Sequence, residues 1–252
     1  MTIAAGFVCD AGVLLCADSQ FTVVPTKVDG MKIGIADPEY GKIMVAFADN
    51  VDFAAGACQT VLRQSSRSGS TTAINKLAEL LKEYYRRHVF WHPLYEDSLN
   101  EFSCNFLFGV KLNGDTAAPL FTTYDTVMRE TGTFDCTGCG AVVARPMAGF
   151  LYNPQMSEAY AIAVASHVLH YVKRTIDGCG ETTVIKAVEA SKLILGHTEG
   201  NDKDFRNSLA QLNDLAFKYR GLWVNRTPST QGGQSDPEAA IPGQSSQQPS
   251  RE

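Results

Sequence analysis

Residues 2–22 read TIAAGFVCDAGVLLCADSQFT, two apolar runs joined by a short polar turn. The first run covers 3–9 and the second covers 13–17, with Asp10, Ala11 and Gly12 between them. Apolar and β-branched residues on both sides of a glycine-containing turn are typical of a β-hairpin. Because neither run alternates with polar residues, the pattern predicts strands that are buried on both faces.

The rest of the chain combines further strands with long helices. Helical spacing of apolar residues predicts helices over 51–63, 72–89, 157–175 and 202–219. Apolar and β-branched runs predict strands at 42–47, 105–112, 119–124, 141–144 and 182–188. This order of elements favours sheets covered by helices over a doubly wound α/β fold.

Composition indicates one globular domain followed by a tail. The chain has 252 residues, of which 44% are hydrophobic and 19% charged, with a formal net charge of −5. We expect a single domain over residues 1–225, whereas residues 226–252 are rich in Gln, Ser, Pro and Gly and predict disorder. The mild acidity argues against nucleic-acid and membrane-surface binding. No apolar run reaches the roughly 20 residues of a membrane span.

The cysteines indicate a reducing compartment. There are seven, an odd number, and several lie in apolar segments, which is typical of buried thiols in a cytoplasmic protein. Cys136 and Cys139 have C-x-x-C spacing, but no second ligand pair at close spacing completes a zinc site. We therefore expect no metal site, and the N-terminal chemistry described below needs no organic cofactor. The first residues lack a basic segment, so we expect no secretory signal.

Thr2 is the clearest candidate for a catalytic residue. Methionine before a small residue is normally removed, which would leave a threonine that carries both a hydroxyl and a free α-amine. An α-amine titrates near ~8, against about 10 for a lysine amine, so an appreciable fraction is basic at neutral pH. One residue would then supply a nucleophile and a general base. Many proteins begin with Met-Thr, so this feature alone does not indicate catalysis.

The stretch GVLLCADSQFT at 12–22 resembles the first hairpin of proteasome β-subunits. In that family an N-terminal threonine is followed, without gaps, by a G-V-x-x-A-A-D-S/T-R-x-T strand. The separation of Thr2 and Asp18 equals the family's spacing from nucleophile to aspartate. Lys32 resembles the family's catalytic lysine but comes slightly early, and Lys27 is the alternative. The chain is similar to proteasome-like N-terminal-nucleophile hydrolases, which include the HslV-type and bacterial Anbu groups.

Later segments match this family more loosely and depart from it at three positions. In VAFADNVD at 45–52, Ala48 stands where the family has the glycine whose N–H forms the oxyanion hole. In GCG at 138–140, Cys139 replaces the serine that hydrogen-bonds the amine. The segment DGCG at 177–180 is similar to the family's D-x-x-S-G, again with cysteine in place of serine.

The resemblance implies an α+β fold, namely a four-layer αββα sandwich of antiparallel sheets, and a threonine-type endopeptidase. It implies a peptide or unfolded protein as substrate and a homo-oligomeric ring, and it leaves an ATPase partner open. The implied catalytic residues are Thr2, Asp18, Lys32, Cys139 and Asp177, and the implied substrate-binding residues are Phe21, Thr22, Ala46 and Ala48.

Two alternatives stay open. The alanine at the oxyanion position and the two serine-to-cysteine changes are compatible with a catalytically silent subunit that has a structural role. An amidohydrolase that acts on a small amide would also use an N-terminal nucleophile. Retention of Met1 would block the amine and favour the silent subunit.

Overall fold

Strands of the computed structural model form two antiparallel sheets and a short hairpin; the structure describes residues 2–23, 26–65, 73–91, 104–180 and 183–187. The first sheet has the order β10-β1-β2-β11, formed by Phe134–Thr137, Ala4–Cys9, Gly12–Asp18 and Thr183–Ala187. The second has the order β5-β6-β7-β8-β9, formed by Ile33–Ala36, Gly41–Asp49, Cys104–Leu112, Leu120–Tyr124 and Val127–Thr131. Strands β3 (Gln20–Val23) and β4 (Thr26–Asp29) form the hairpin.

The hairpin predicted at the start of the chain is confirmed. Strands β1 and β2 pair antiparallel with Ala4 opposite Ala17 and Cys9 opposite Gly12. Every residue of β2 is buried, as its uninterrupted apolar run predicts. Because the strands are antiparallel, the beginning of β1 meets the end of β2, and the N–H of Asp18 donates to the carbonyl of Ile3 at 3.2 Å. This register brings the first residues of the chain next to Asp18.

Four α-helices lie in the described residues: α1 (Val51–Ser65), α2 (Ala73–Tyr85), α3 (Ala141–Leu151) and α4 (Glu158–Thr175). A π-helical turn, Arg86–Phe90, continues α2. The helices predicted over 51–63, 72–89 and 157–175 are thus confirmed. Ser157 caps α4, since its side chain accepts a hydrogen bond from the N–H of Tyr160.

Three apolar clusters hold these elements together. One joins α3 and α4 to β1 and β2, and includes Phe7, Leu14 and Leu169. A second joins α1 and α2 to β6 and β7. A third, which includes Leu15 and Met44, lies where strands of the first sheet pack against strands of the second. The chain is therefore a mixed α/β structure in which antiparallel sheets carry helices.

The prediction of a strand at 141–144 is wrong, because these residues begin helix α3. The apolar, β-branched run that includes Val142 and Val143 suggested a strand. The buried positions are Ala141, Ala144 and Ala148, a helical spacing, whereas Val142 is exposed. Pro146 lies inside the helix. Burial of the alanine face against the first sheet thus outweighs the low helix propensity of valine and proline.

Other strands were not predicted because they are short or polar. These are β3, β4, β5, β9 and β10; all four residues of β4, for example, are exposed. The predicted helix at 202–219 and the predicted tail at 226–252 lie outside the described residues. Within the described residues, none of the helices has the length and apolar character needed to span a bilayer.

Candidate functional site

Thr2 lies immediately before β1 and is buried, with 1% of its surface exposed. Its backbone N–H donates to Cys139 Sγ at 3.2 Å, and its carbonyl accepts a hydrogen bond from the N–H of Gly140 at 3.3 Å. Its Oγ1 is buried and has no hydrogen-bond partner among the described residues. A buried hydroxyl without a partner costs stability. Hydrogen bonds thus hold the backbone of Thr2 in place, whereas its side-chain hydroxyl makes no hydrogen bond with the described residues.

Asp18 ends β2 next to Thr2 and is fully buried. Its Oδ1 accepts from the N–H of Ile3 at 3.0 Å and from Lys32 Nζ at 2.6 Å. Its Oδ2 accepts from the N–H of Gly180 at 3.1 Å. Three donors from three segments satisfy this carboxylate, as a buried charge requires.

Lys32 precedes β5 and is also buried, with 1% of its surface exposed. Its Nζ donates to Asp18 and to the carbonyl of Gln20 at 2.5 Å, and lies 4.9 Å from the ring centroid of Phe21. Burial lowers the pKa of Lys32, and the adjacent Asp18 carboxylate opposes this shift. Lys27, the alternative lysine, is exposed on β4. Lys32 is thus the lysine that meets Asp18.

Cys139 is half-buried and contacts Thr2 directly. Its Sγ accepts from the N–H of Thr2, and in the thiol form it donates to the Thr2 carbonyl at 3.4 Å. The Cys179 sulfur lies 3.6 Å from the Cys139 sulfur. The hydrogen bond with Cys179, followed by the one with the Thr2 backbone, lowers the pKa of Cys139 to about 6 against desolvation. The pKa of Cys179 is raised, chiefly by the same hydrogen bond and by burial.

Gly138 allows the backbone to approach Thr2 closely. Its φ is +92°, a left-handed conformation that favours glycine. A Cβ at this position would lie 2.3 Å from the Thr2 carbonyl oxygen and 2.9 Å from the Cβ of Ala48. Gly138 therefore brings the GCG segment against Thr2, with Ala48 at the same point of contact.

Ala48 does not need the backbone freedom of a glycine. Among the described residues other than glycine, positive φ angles occur at Asp49 and Asp125. Asp49 ends β6 with a φ of +80°, so the left-handed turn falls one residue after Ala48. The alanine thus adopts its strand conformation without the strain that a positive φ would cause.

The remaining predicted site residues lie in different environments. Phe21 is buried, packs against the Lys32 ammonium and stacks on Phe47. Thr22 is a residue of β3 opposite Lys27. Ala46 is fully buried in the apolar cluster between the sheets. Asp177 is exposed in the turn after α4, outside the buried cluster around Thr2. The functional roles of these residues stay predictions.

A cavity of about 500 Å³ adjoins the site through Gly138. Its walls include Asp49, Asn105, Asp135 and Arg145. Arg145 Nε donates to Asp135 Oδ1 at 3.1 Å, and Asn105 Nδ2 donates to Asp49 Oδ2 at 3.2 Å. Burial raises the pKa of Asp49. The cavity is therefore polar and carries charges of both signs.

Three contributors to the site were not predicted as site residues. They are the Gln20 carbonyl, the Gly180 N–H and the Cys179 thiol. Backbone groups leave no signal in a sequence, because any residue supplies them. The signal for Cys179 was its place in the DGCG segment.

The cluster around Thr2 combines a buried hydroxyl without a hydrogen-bond partner among the described residues with the buried Asp18–Lys32 ion pair. Within the described part of the chain, no group of three or more His, Cys, Asp or Glu side chains is arranged to hold a metal ion. A buried ammonium favours the deprotonated forms of the groups around it, and a deprotonated hydroxyl is a nucleophile. The arrangement is thus suited to attack by a side-chain oxygen.

Comparisons with known proteins find similarity in structure. No protein-family model and no curated protein matches the sequence. Anbu (ancestral beta-subunit) from Yersinia bercovieri is similar with a TM-score of 0.65 and 15% identity, covering 92% of this chain and 100% of that chain. The Anbu (Gly-1) mutant from Hyphomicrobium sp. strain MC1 has a TM-score of 0.68 and 15% identity, covering 93% and 100%. The helical assembly of the Anbu complex from Pseudomonas aeruginosa has a TM-score of 0.69 and 16% identity, covering 91% and 98%. At this identity the likeness establishes a shared fold.

Proposed function

We propose that this chain is a threonine-type endopeptidase that acts through Thr2 after removal of Met1, as one subunit of a proteasome-like assembly. The observation that carries the proposal is the buried Thr2 hydroxyl, which lacks a hydrogen-bond partner in the described residues. It belongs to the residue before Ile3, whose N–H donates to the Asp18 carboxylate of the Asp18–Lys32 ion pair. A fold adapted only for stability would satisfy or expose that hydroxyl. Its isolation is typical of a group kept for a reaction partner.

In the proposed reaction Thr2 Oγ1 attacks the carbonyl carbon of a peptide bond. The free α-amine of Thr2 accepts the hydroxyl proton, directly or through a water molecule, and returns it to the leaving amine. The products of this first step are an ester on Thr2 and a released amine. Water then attacks the ester with the same amine as base, which frees the acid product and restores Thr2.

The surrounding residues support these steps electrostatically. The Lys32 ammonium is held by Asp18 and favours the deprotonated forms of the nearby hydroxyl and amine. Cys139 takes the position of a serine that orients the amine, and its sulfur already accepts from the Thr2 nitrogen. The N–H of Ala48 is the proposed oxyanion donor; loss of one such donor typically costs about 3 kcal/mol in activation.

The proposal also covers the layer arrangement of the fold and the association of several copies of the chain. The three apolar clusters support a four-layer αββα sandwich, with a helical layer on the outer face of each sheet. Helix α3 also has an exposed apolar face formed by Val142, Pro146 and Phe150. A second copy of the chain would cover this face, as in ring or helical arrangements, and an Anbu complex is described as a helical assembly. The free cysteines support a cytoplasmic location.

Intact mass and a covalent probe test the proposal together. A peptide epoxyketone reacts with the hydroxyl and the α-amine of the same N-terminal residue, so a stable adduct requires both. We expect a mass that lacks Met1, one probe per chain on the Thr2 peptide, and hydrolysis of unfolded protein. Thr2→Ser, which keeps both groups, should retain labelling.

Thr2→Ala is the matched negative variant, because it removes only the hydroxyl and the methyl group. It should lose both the adduct and hydrolysis. Turnover that survives in Thr2→Ala would contradict the proposal. A chain that retains Met1 and takes up no probe would instead support the catalytically silent subunit.

A further inference from the structure

We infer that Cys139 and Cys179 form a reversible disulfide that withdraws the Cys139 sulfur from Thr2. The effect on catalysis rests on the proposed function, whereas the disulfide itself does not. The pair thus makes a modification site that a serine at either position would abolish.

The distance between the two sulfurs is the first support. They lie 3.6 Å apart, with both cysteines present as free thiols. A disulfide has an S–S distance of about 2.05 Å, so the sulfurs need to approach by about 1.5 Å. Rotation about the side-chain bonds and small backbone shifts supply movements of this size.

The backbone on both sides of each cysteine is glycine. Cys139 lies between Gly138 and Gly140 just before α3, and Cys179 lies between Gly178 and Gly180 after α4. Glycine has the widest conformational freedom of any residue. Neither cysteine lies inside a helix or strand, so bond formation leaves the hydrogen bonds of those elements intact.

The two thiols differ in exposure and in pKa. Cys139 has the properties of the cysteine that an oxidant attacks first, and Cys179 those of the cysteine that then forms the disulfide with it. Cys139 is half-buried, and the hydrogen bond with Cys179 lowers its pKa, which favours the reactive thiolate form. Cys179 is 4% exposed and its raised pKa keeps it protonated. The other five cysteines are buried, and burial raises the pKa of each of them. Oxidation should therefore begin at Cys139.

A hydroperoxide is the oxidant class that the pair would take. The Cys139 thiolate attacks one peroxide oxygen, which forms an S–O bond, breaks the O–O bond and releases hydroxide. The Cys179 sulfur then attacks the resulting sulfenic sulfur, forming the S–S bond and expelling the second oxygen as hydroxide. The Cys179 proton and one proton from solvent convert both hydroxides to water. Two cysteines lose two electrons, and hydrogen peroxide is reduced to water.

The disulfide would change the contacts of Thr2. The Cys139 sulfur accepts from the Thr2 nitrogen at 3.2 Å and lies 3.4 Å from the Thr2 carbonyl. A disulfide sulfur has neither the charge of a thiolate nor a proton to donate, so it is a weaker partner for the Thr2 nitrogen and carbonyl. Thr2 would lose the partner that orients its nitrogen, so hydrolysis should slow.

Peroxide treatment of the full chain tests the inference with two independent measurements. Intact mass should fall by the mass of two hydrogens, and a peptide map should join the Cys139 and Cys179 peptides. The rate of peptide hydrolysis should fall about tenfold or more, as expected when a proton-transfer group loses its partner. Dithiothreitol should reverse both changes.

Two variants locate the effect, each compared with its own untreated sample. Cys179→Ala leaves Cys139 without a resolving thiol, so peroxide should yield the sulfinic acid and an inhibition that dithiothreitol does not reverse. Cys58→Ala removes a buried thiol of the second apolar cluster, and should preserve the disulfide.

Each remaining outcome decides one question. Oxidation of Cys139 without a bond to Cys179, in a chain that hydrolyses peptides, would overturn this inference and leave the proposed function standing. A disulfide in a chain that never hydrolyses peptides would support the modification site and overturn the proposed function. A disulfide that leaves the rate unchanged would overturn its control of Thr2.

Discussion

The Asp18–Lys32 ion pair and the Cys139–Cys179 thiol pair both contact the first residues of the chain, but they are held in different ways. Asp18 accepts from the N–H of Ile3, and Cys139 accepts from the N–H of Thr2. The ion pair is fully buried, with a distance of 2.6 Å between charged atoms. The thiol pair is partly open, and its sulfurs lie 3.6 Å apart. The ion pair is thus fully enclosed, whereas one member of the thiol pair, Cys139, is only half-buried.

This difference follows from where the members lie in the chain. Asp18 is the last residue of β2, and the antiparallel register of the first hairpin brings it to Ile3. The cysteines are on the loops before α3 and after α4, and packing of those helices on the first sheet brings the loops together. Sheet geometry thus positions Asp18, whereas loop geometry positions the sulfurs.

Removal of the lysine should have the largest effect. Lys32→Met leaves Asp18 buried without its counter-ion, and we expect the free energy of unfolding to fall by about 4 kcal/mol, with loss of hydrolysis. Lys42→Met is the matched control, because Lys42 pairs with Asp37 at 3.6 Å with exposed fractions of 36% and 67%. It should cost less than about 1 kcal/mol. Chemical denaturation measures both; equal losses would mean that burial of the Asp18–Lys32 pair is not what stabilises this region.

The close approach of Gly138 to Thr2 allows a second test, on the side of the thiols. Gly138→Ala places a Cβ at a φ of +92° and 2.3 Å from the Thr2 carbonyl oxygen, so Thr2 must move. We expect a loss of about 2 kcal/mol or more in the free energy of unfolding, together with loss of probe labelling.

Gly114→Ala separates backbone strain from contact in that test. Gly114 has a φ of +91°, and nothing lies within 4 Å of the position of its Cβ. This variant should lose only about 1 kcal/mol and keep its labelling. If both variants lose the same stability, the contact with Thr2 contributes nothing.

The contrast between the two pairs also explains how much could be predicted from the sequence. The hairpin and the separation of Thr2 and Asp18 are local features, and the structure confirms the hairpin and the proximity of these residues. The residue pattern also favoured Lys32 over Lys27, and Lys32 is the lysine that contacts Asp18. Local periodicity and turn chemistry suffice for the hairpin, whereas the choice of Asp18 and Lys32 came from the resemblance to proteasome β-subunits.

Features that depend on contacts between residues far apart in the sequence were either not predicted or predicted wrongly. Residues 141–144 were predicted as a strand, because the alanine face that makes them helical is visible only once the first sheet is in place. The contact of Cys139 with Cys179 joins residues separated by 40 positions, and no local pattern reports it. The catalytic roles of the site residues and the structure of 202–252 stay predictions.

Replacement of Cys139 should have a moderate effect on catalysis. Cys139→Ala removes the acceptor for the Thr2 nitrogen, and we expect kcat to fall roughly tenfold to a hundredfold. Cys139→Ser keeps an acceptor and should stay within about fivefold of the parent. Cys136→Ala, at a buried position of β10 that faces the first apolar cluster, is the control and should keep the parent kcat. A Cys139→Ala enzyme with the parent kcat would show that the sulfur does not orient Thr2.

The smallest expected effect is a shift in how Cys139 titrates. Its pKa of about 6, against an ordinary value of 9.0, arises mainly from the hydrogen bond with Cys179 and then from the Thr2 backbone, while desolvation and the Asp18 charge oppose the shift. The rate of alkylation by iodoacetamide should therefore rise as pH increases through about 6, because the thiolate is the reactive form. Cys179→Ala should move that midpoint upward, toward the ordinary value. Peptide mapping of the labelled chain measures the rate at Cys139 alone.

The same shift predicts how stability depends on pH. The pKa of Cys139 is lower in the folded chain than in the unfolded chain, so between about 6 and 9.0 the unfolded state binds more protons. The stabilising contribution of Cys139 is therefore complete above the unfolded value and is lost as pH falls through the folded value. Relative to Cys139→Ala, the parent chain should gain stability as pH rises across this window. If the free energy of unfolding depends on pH in the same way in both proteins, Cys139 titrates like an ordinary thiol. The thiol pair would then contribute no pH dependence to stability over this range.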